Sequence, residues 1–587
     1  MLSGGDKREM IKMRDKGVWK TLVISVALVI VASSVVIFSA ANCRIGENGI
    51  EESGGKGIIS LVPPPFVGVA GASGSYVAST NLDTGESFSS IQAAIDDLDT
   101  KGGHTITVNP GYYIENVNVH KALTIKSVGG NPSDAVIKAA DSSNTVISIT
   151  TNNVSIIGIQ TEGSTMDTDT GTGMYLSNVS YCYIANCSVT MNGIGIFVVS
   201  SSDNILYNNS VSANLGMGIA LFSSNNNTID HNIVLDNGFS GIYLLDSENN
   251  LILNNTCCDN KVSGIYFDGS EGNKATENNV TRNTDDGIEL VESEQNVIEN
   301  NLAGSNGNDG IGLWDSKRNV ISNNIALSNS YSGIHLNNSK GSTITGNNAS
   351  YNERAGIGLE SSEENVIENN LVLNNCHDGI TLLLSERNVV LNNLALNNGR
   401  NGINIYIAND NKIIGNNASY NKGAGINLYS STSEIRRNVA NSNFYKGIEA
   451  YNSDDSVIEE NICENNIDAK PDLVITSAYG SGWYPGDVSV KVRIENQGLR
   501  NAEQPFTVEV EAEYKRQYNV WYETKRVEVR DVLAPGKYVD VCITLKNHGA
   551  DWDGEVPITV HVDRWNSVVE SNEGNNIYHG TAYIHRA

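Results

Sequence analysis

Between Pro132 and Pro471 the sequence has no proline, although ten occur in the 587 residues. So long a gap suits a backbone whose N–H groups are all committed to a hydrogen-bonded ladder. Basic residues are also scarce. Against 67 Asp+Glu there are only 39 Lys+Arg, a net charge of −28. This balance excludes nucleic acid as a partner and would repel a polyanionic glycan unless a basic patch or Ca²⁺ intervened. Cysteine is sparse too, with eight at 43, 182, 187, 257, 258, 376, 463 and 542. No pair has zinc-ligand spacing and the set is too dispersed for a disulfide framework, so buried free thiols are expected. Cys257 and Cys258, neighbours on one strand pattern, should point to opposite faces.

Long apolar runs are confined to one place. Residues 22–41 carry no charge and follow Lys7, Arg8, Lys12, Arg14, Lys16 and Lys20. Such a run is long enough to span a bilayer of about 30 Å, with the basic flank on the cytoplasmic side. The expectation is a basic cytoplasmic segment (1–17), a signal anchor or transmembrane helix (18–41) and a Gly/Pro-rich linker (42–79). Everything beyond then lies outside the cell, at its surface.

The stretch SFSSIQAAIDDLDTKGG sets Ile91, Ala94, Ile95 and Leu98 at helical spacing. It predicts a short helix started by Ser89 or Ser90 and ended at Gly102-Gly103, capping whatever follows.

From about residue 170 the chain repeats. A Gly-Ile-x-hydrophobic tetrapeptide begins at Gly195, Gly218, Gly241, Gly264 and so on to Gly425, every 23 residues. Outlying copies at Gly173 and Gly447 are spaced by 22. Two columns are entirely Asn, one running from Asn209 to Asn416 and one from Asn214 to Asn421. The unit is too short for a helix pair, and Asn and Gly are poor helix formers. Each unit therefore predicts short strands and turns winding one coil of a parallel β-helix. Stacked about 4.8 Å apart, identical Asn side chains can hydrogen-bond along the stack.

The expected fold is all-β: a right-handed single-stranded parallel β-helix over residues 80–466, then an Ig-like β-sandwich over 467–587. The second domain is marked by four of the six tryptophans and by strand segments at sandwich spacing.

The repeat columns resemble the right-handed β-helix proteins of the carbohydrate-binding and sugar-hydrolase type, including the NosD-like group. The C-terminal region resembles CARDB, the cell-adhesion-related domain. The residues that carry this second likeness are Pro471-Asp472-Leu473, Asn496-Gln497-Gly498 with Ala502 and Phe506, Leu533-Ala534-Pro535-Gly536, and the tail VDRWNSVVESNEGNN. Together the resemblances imply display or adhesion at a prokaryotic, archaeal-type surface. NosD-like membership brings copper to mind, but His, Cys and Met form no evident soft-ligand cluster.

RNTDDGIEL, residues 282–290, invites a catalytic reading. Polygalacturonases carry Asn-Thr-Asp-Gly, and Asn283-Thr284-Asp285 matches three positions before Asp286 intervenes. The Asp pair, the Gly-His-Gly and the Arg-x-Lys that the family requires on later coils are absent. The expectation is no catalytic residue here, with Asp285 and Asp286 on a solvated repeat turn.

The x of each tetrapeptide is expected to face outward. The candidate ligand-binding strip for a glycan is Tyr243, Tyr266, Asp286, Glu289, Asp309, Trp314 and His335. Asp563, Glu570 and Glu573 are candidate Ca²⁺ ligands; no other cofactor is called for. Expected partners are surface glycans or cell-envelope proteins, besides the membrane itself. The alternative is an extracellular polysaccharide lyase or hydrolase, for which Arg354 and Arg400, in the same turn column as Asp285 and His377, supply basic groups. Ten Asn-x-Ser/Thr sequons also make glycosylation possible.

Overall fold

The computed structural model describes residues 77–165, 171–466 and 472–586, except 485–486, 499–500, 517–518, 547–553, 569 and 571–572. The cytoplasmic segment, the signal anchor and nearly all of the linker lie outside the described residues. Among the described residues, no helix is long and apolar enough to cross a membrane.

The chain forms two compact units. One runs to Asn375 and includes Leu382–Leu391 and Asn409–Asn411; the other holds Cys376–Thr381, Asn392–Ala408 and Lys412–Ala587.

The first unit opens with strand Ser79–Asn81, antiparallel to Ser87–Phe88 and Thr105–Val108. A single helix follows, α1 (Ile91–Asp96), capped by Ser90, whose hydroxyl accepts the Ala93 N–H at 3.0 Å. Ile91, Ala94 and Ile95 are buried as expected, but Leu98 is 85% exposed. The chain has already left the helix at Asp97, where ψ is 139°, so the helical spacing does not extend to Leu98. The Gln92 side chain acts as a surrogate peptide group. Its Nε2 donates to Asn118 O at 3.3 Å and its Oε1 accepts Asn118 N at 2.7 Å. Asn118 lies in Val117–Val119, the terminal strand of its sheet, so α1 covers that edge as a cap should.

Each coil then contributes up to three strands. Ile219–Phe222, Thr228–Asp230 and Ile233–Leu235 pair in parallel with Ile242–Leu245, Leu251–Leu253 and Thr256–Cys258, each one repeat on. Ile219, Leu221, Ile229 and Val234 face the core with no exposure. Four residues of that coil, Ser223, Asn226, His231 and Asp236, take left-handed φ of 47–57°. They form the corners, and this conformation is one that Asn and Asp tolerate best among non-glycine residues.

Buried asparagines lock the register. The N–H of Asn232 donates to Asn255 Oδ1 at 2.9 Å, its Nδ2 to the same atom at 3.0 Å and to Leu206 O at 2.9 Å. A further column, including Asn204, Asn227, Asn250, Asn273 and Asn296, does the same at another corner. The column glycines are demanded by crowding. A Cβ at Gly218 would lie 2.6 Å from the Gly241 carbonyl and 2.8 Å from Asn237 Nδ2.

In the second unit, residues 472–586 form seven strands in the order Asn519–Val529, Phe506–Arg516, Gly554–Val562, Ile577–Arg586, Leu473–Tyr484, Val488–Asn496, Tyr538–Leu545. Val488, Val490, Val492 and Ile494 alternate into a core shared with Phe506, Val508 and Tyr514. The Asn496-Gln497-Gly498 motif has a clear task there. Asn496 Oδ1 accepts the N–H groups of Asp472 and Gly498, each at 3.0 Å, while its Nδ2 donates to Leu533 O at 2.8 Å. One side chain thus ties three segments together.

The cysteines divide. Cys182, Cys187, Cys257 and Cys258 are buried free thiols, whereas Cys376, Cys463 and Cys542 are exposed. Burial was expected of all; Cys376 and Cys542 fall outside the inward-facing columns, while Cys463 continues the column of Ala418 and Ala440 on the last described coil. Cys257 and Cys258 are both enclosed, and Cys258 Sγ lies 3.1 Å from Thr281 Oγ1.

Candidate functional site

In the first unit the Gly-Ile strands Ile242–Leu245, Ile265–Asp268, Ile288–Val291, Ile311–Trp314, Ile334–Asn337 and Ile357–Glu360 are stacked in parallel. Their register sets Tyr243, Tyr266, Glu289, Gly312, His335 and Gly358 in one line. The line turns away from the core, yet it is not an open strip. Tyr243 is 3% exposed, Glu289 4% and His335 8%. Tyr266 and Trp314 are half-buried.

Neighbouring turns cover the line. The residue three places before each x position folds against the x side chain of the next coil. Ser263 Oγ donates to Glu289 Oε2 at 2.6 Å, and Asp309 Oδ2 meets His335 Nδ1 at 3.1 Å. Both pairs are 26 residues apart, one coil plus three.

The same turns account for Asp286. It is fully buried, not solvated as expected, because its Oδ1 accepts Asn308 Nδ2 at 2.7 Å and the Asp309 N–H at 2.9 Å. Asp309, also fully buried, accepts the Ser332 N–H at 2.8 Å. These carboxylates therefore serve the backbone of the next coil, as the asparagine columns do. Asp285 is half-buried.

Aromatic rings fill the remaining space. Tyr243 and Tyr266 lie 5.1 Å apart, within a cluster that includes Phe222 and Phe239, and the Tyr243 hydroxyl bonds Asp268 Oδ2 at 2.9 Å. Burial, with Glu289 and Asp268 adding to it, pushes the Tyr266 phenol well above its usual range. Farther along, His335 is flanked edge-on by Trp314 at 5.3 Å and, tilted, by Tyr331 at 5.8 Å. Arg354 lies over the Tyr331 ring at 4.3 Å and donates to its hydroxyl at 2.8 Å. Burial raises the Tyr331 phenol while Arg354 opposes it.

Gly312 leaves room for the Asp286 carboxylate and the Trp314 ring between Glu289 and His335. A Cβ there would overlap Asp286 Oδ2 and approach Trp314 Nε1 to 3.2 Å. The structure thus gathers Asp286, Glu289, Asp309, Trp314 and His335 around Gly312, with Tyr266 two coils away and Tyr243 three. Tyr331 was no part of the predicted strip. Its position in the turn column that supplies Arg354 was the available signal. The half-buried Trp314 and Tyr331 and the exposed Arg354 are what a ligand would meet. Aromatic faces and a guanidinium suit sugar rings and their hydroxyls.

Two of the Ca²⁺ candidates, Asp563 and Glu570, accept hydrogen bonds from neighbouring groups. Asp563 Oδ1 accepts Ser567 N at 3.0 Å, and its Oδ2 accepts Val568 N at 2.6 Å. Glu570 accepts the Leu473 N–H and, at 3.1 Å, Asn576 Nδ2. The side chain of Glu573 lies outside the described residues.

Residues 240–378 and 372–483 match the family described as periplasmic copper-binding protein (NosD). Residues 104–291 match the right handed beta helix region, and 470–580 match CARDB. Over 132 residues the chain is 38% identical to a cell surface glycoprotein of Methanothermus fervidus, covering 22% of this chain. The match spans about a fifth of that relative's length, 20%. Among solved structures it is similar to a mutant of the periplasmic alginate epimerase AlgG, at 14% identity and TM-score 0.38, over 49% of this chain and 85% of the other. It is also similar to a GH87 alpha-1,3-glucanase catalytic domain, at 14% identity and TM-score 0.32, over 61% and 64%.

The donor set does not fit copper. Among the described residues, the one group of three His, Cys, Asp or Glu with metal-ligand spacing is Glu86, Asp97 and Asp99. Its hard oxygens suit neither copper nor another soft metal, and it lies outside the NosD match.

Proposed function

We propose that this chain is a cell-surface protein whose β-helix presents the Gly-Ile face to glycans or envelope partners, with the CARDB domain as an adhesion-type module. Two likenesses support the location, namely the identity shared with a cell surface glycoprotein and the CARDB match. In this reading residues 18–41 anchor the chain in a single pass, with a cytoplasmic N-terminus. One observation carries the binding role: Trp314 and Tyr331 flank His335 and Arg354 lies over Tyr331, with Asp286 and Asp309 buried behind them. The aromatic pair would stack on sugar rings, and the fixed carboxylates behind it set an acidic background that favours neutral or cationic glycans.

The test is retention of the full-length chain on immobilised neutral, acidic and amino-sugar glycans. Trp314→Ala and Tyr331→Ala should each weaken binding by about tenfold, ~1.4 kcal/mol, at a temperature where each variant is still folded by circular dichroism. If no glycan retains the unaltered chain, the glycan reading fails.

A second reading, a polysaccharide lyase or hydrolase, is favoured by one specific feature. The His335–Asp309 pair lies beside Tyr331 and its guanidinium, and a histidine with a carboxylate partner is a common proton-transfer arrangement. Incubating the chain with the same glycans and following products by mass spectrometry separates the readings. New oligosaccharides that vanish in Asp309→Asn would make it an enzyme.

A further inference from the structure

Ten Asn-x-Ser/Thr triplets begin at Asn153, Asn178, Asn186, Asn208, Asn226, Asn254, Asn279, Asn337, Asn348 and Asn417. The fold divides them sharply. At the first six the asparagine stands on a coil corner with φ of 51–61°. The middle residues, Val154, Val179, Cys187, Asn209, Asn227 and Asn255, are all buried. With the middle side chain turned inward, the two flanking ones turn outward. Accordingly Ser155, Ser180, Ser188, Ser210, Thr228 and Thr256 are all partly open to solvent, and Asn153, Asn178, Asn208 and Asn226 are exposed.

The other four have the opposite arrangement. Their asparagines stand off the left-handed corners, and their hydroxyl residues are buried: Thr281, Ser339, Ser350 and Ser419 are 8%, 0%, 1% and 2% exposed. Those hydroxyls are also engaged. Ser339 Oγ donates to Leu313 O, while Ser350 and Ser419 donate to the amide oxygens of Asn348 and Asn417, each at 2.6 Å.

We propose that the corner sequons are acceptors for N-linked glycans and that Asn279, Asn337, Asn348 and Asn417 are closed in the folded chain. The donor class is an oligosaccharide linked through phosphate to a lipid. Asn Nδ2 bonds to the anomeric carbon, the carbon–oxygen bond to the phosphate breaks, and the lipid phosphate leaves with the electron pair. One amide proton passes to a base of the transferase. Transfer needs the amide and the second-neighbour hydroxyl accessible together, and only the corner group offers both.

Asn208 Nδ2 donates to Asn186 Oδ1 at 2.7 Å across adjacent coils. That spacing admits one glycan to the pair, and the more exposed Asn208 takes it. None of the six lies on a Gly-Ile strand or in the turn that precedes one, so the glycans leave the candidate binding face clear. The proposal does not depend on what that face binds.

The test is peptide mapping by mass spectrometry of the full chain purified from the organism that makes it. Glycan mass on at least one of Asn153, Asn178, Asn208 and Asn226, with all four closed sites bare, is the expected result. Asn226→Gln and Thr228→Val should each remove the same glycan, and Asn208→Gln should raise occupancy at Asn186. A glycan on any closed site, or six bare corners, would overturn the proposal.

Discussion

Nδ1 of His335 lies 3.1 Å from Oδ2 of Asp309, with both side chains almost closed to solvent. The other oxygen of Asp309 holds the Ser332 N–H, so one carboxylate joins the imidazole to the backbone of the covering turn. Asp309→Ala strands both donors, and leaving buried groups unsatisfied costs about 1–3 kcal/mol. Asp309→Asn keeps an acceptor for Ser332 and should cost less. Thermal unfolding of the two variants checks the order.

Glycine at x has two different meanings in this line. At Gly312 a Cβ would run into Asp286 Oδ2, while at Gly358 it would approach nothing nearer than His335 Cδ2 at 3.4 Å, ordinary contact. Gly312→Ala should therefore destabilise by about 1–3 kcal/mol through overpacking and also reduce glycan retention, whereas Gly358→Ala should be nearly silent. Equal effects would show that the Asp286 contact is not the constraint.

The asparagine columns make a sharper demand. Asn306 donates to Val280 O and Asn329 Oδ1, and its own Oδ1 takes the N–H and Nδ2 of Asn283. Asn306→Asp replaces the donor with a charged oxygen that faces two other oxygens, an uncompensated buried charge costing about 3–5 kcal/mol. At the exposed corner residue Asn300 the same change should be almost neutral. Denaturant midpoints of the two variants would show the contrast.

In the seven-stranded C-terminal sheet, Arg493 grips Asp540 through two bonds of 2.8 and 2.9 Å, and Lys491 adds a contact at 3.2 Å. The Arg493 bonds, more than Lys491, hold the Asp540 carboxyl down at about 2. A folded pKa below the unfolded value means the contribution is present above about pH 4 and lost as pH falls towards 2. Carboxyl NMR should place the Asp540 midpoint near 2, and Arg493→Ala should return it to the ordinary range.

Much of this was legible in the residues. The glycine column and both asparagine columns announced coils, because a stack of identical units must repeat whatever its register depends on. The column through Asn204 and Asn227 is less regular, because Ser342 interrupts it between Asn319 and Asn365. The errors share one cause. Alternation along a strand correctly turned Tyr243, Glu289 and His335 away from the core, but outward is not the same as exposed. The covering side chains come from a turn three residues earlier on the neighbouring coil, and pattern along a single strand cannot show them. Asp286 was misjudged for the same reason: its partners, Asn308 and Asp309, are a whole coil away.

The register bonds join equivalent positions whether a coil holds 23 residues, as from Asn232 to Asn255, or 22, as from Asn416 to Asn438. A residue lost at a corner is absorbed there, while a partial coil would leave every column mismatched. Beyond such single residues, descendants of this gene can therefore change length readily only by gaining or losing whole coils. The number of coils becomes a heritable, quantised trait that selection can adjust without redesigning the interior.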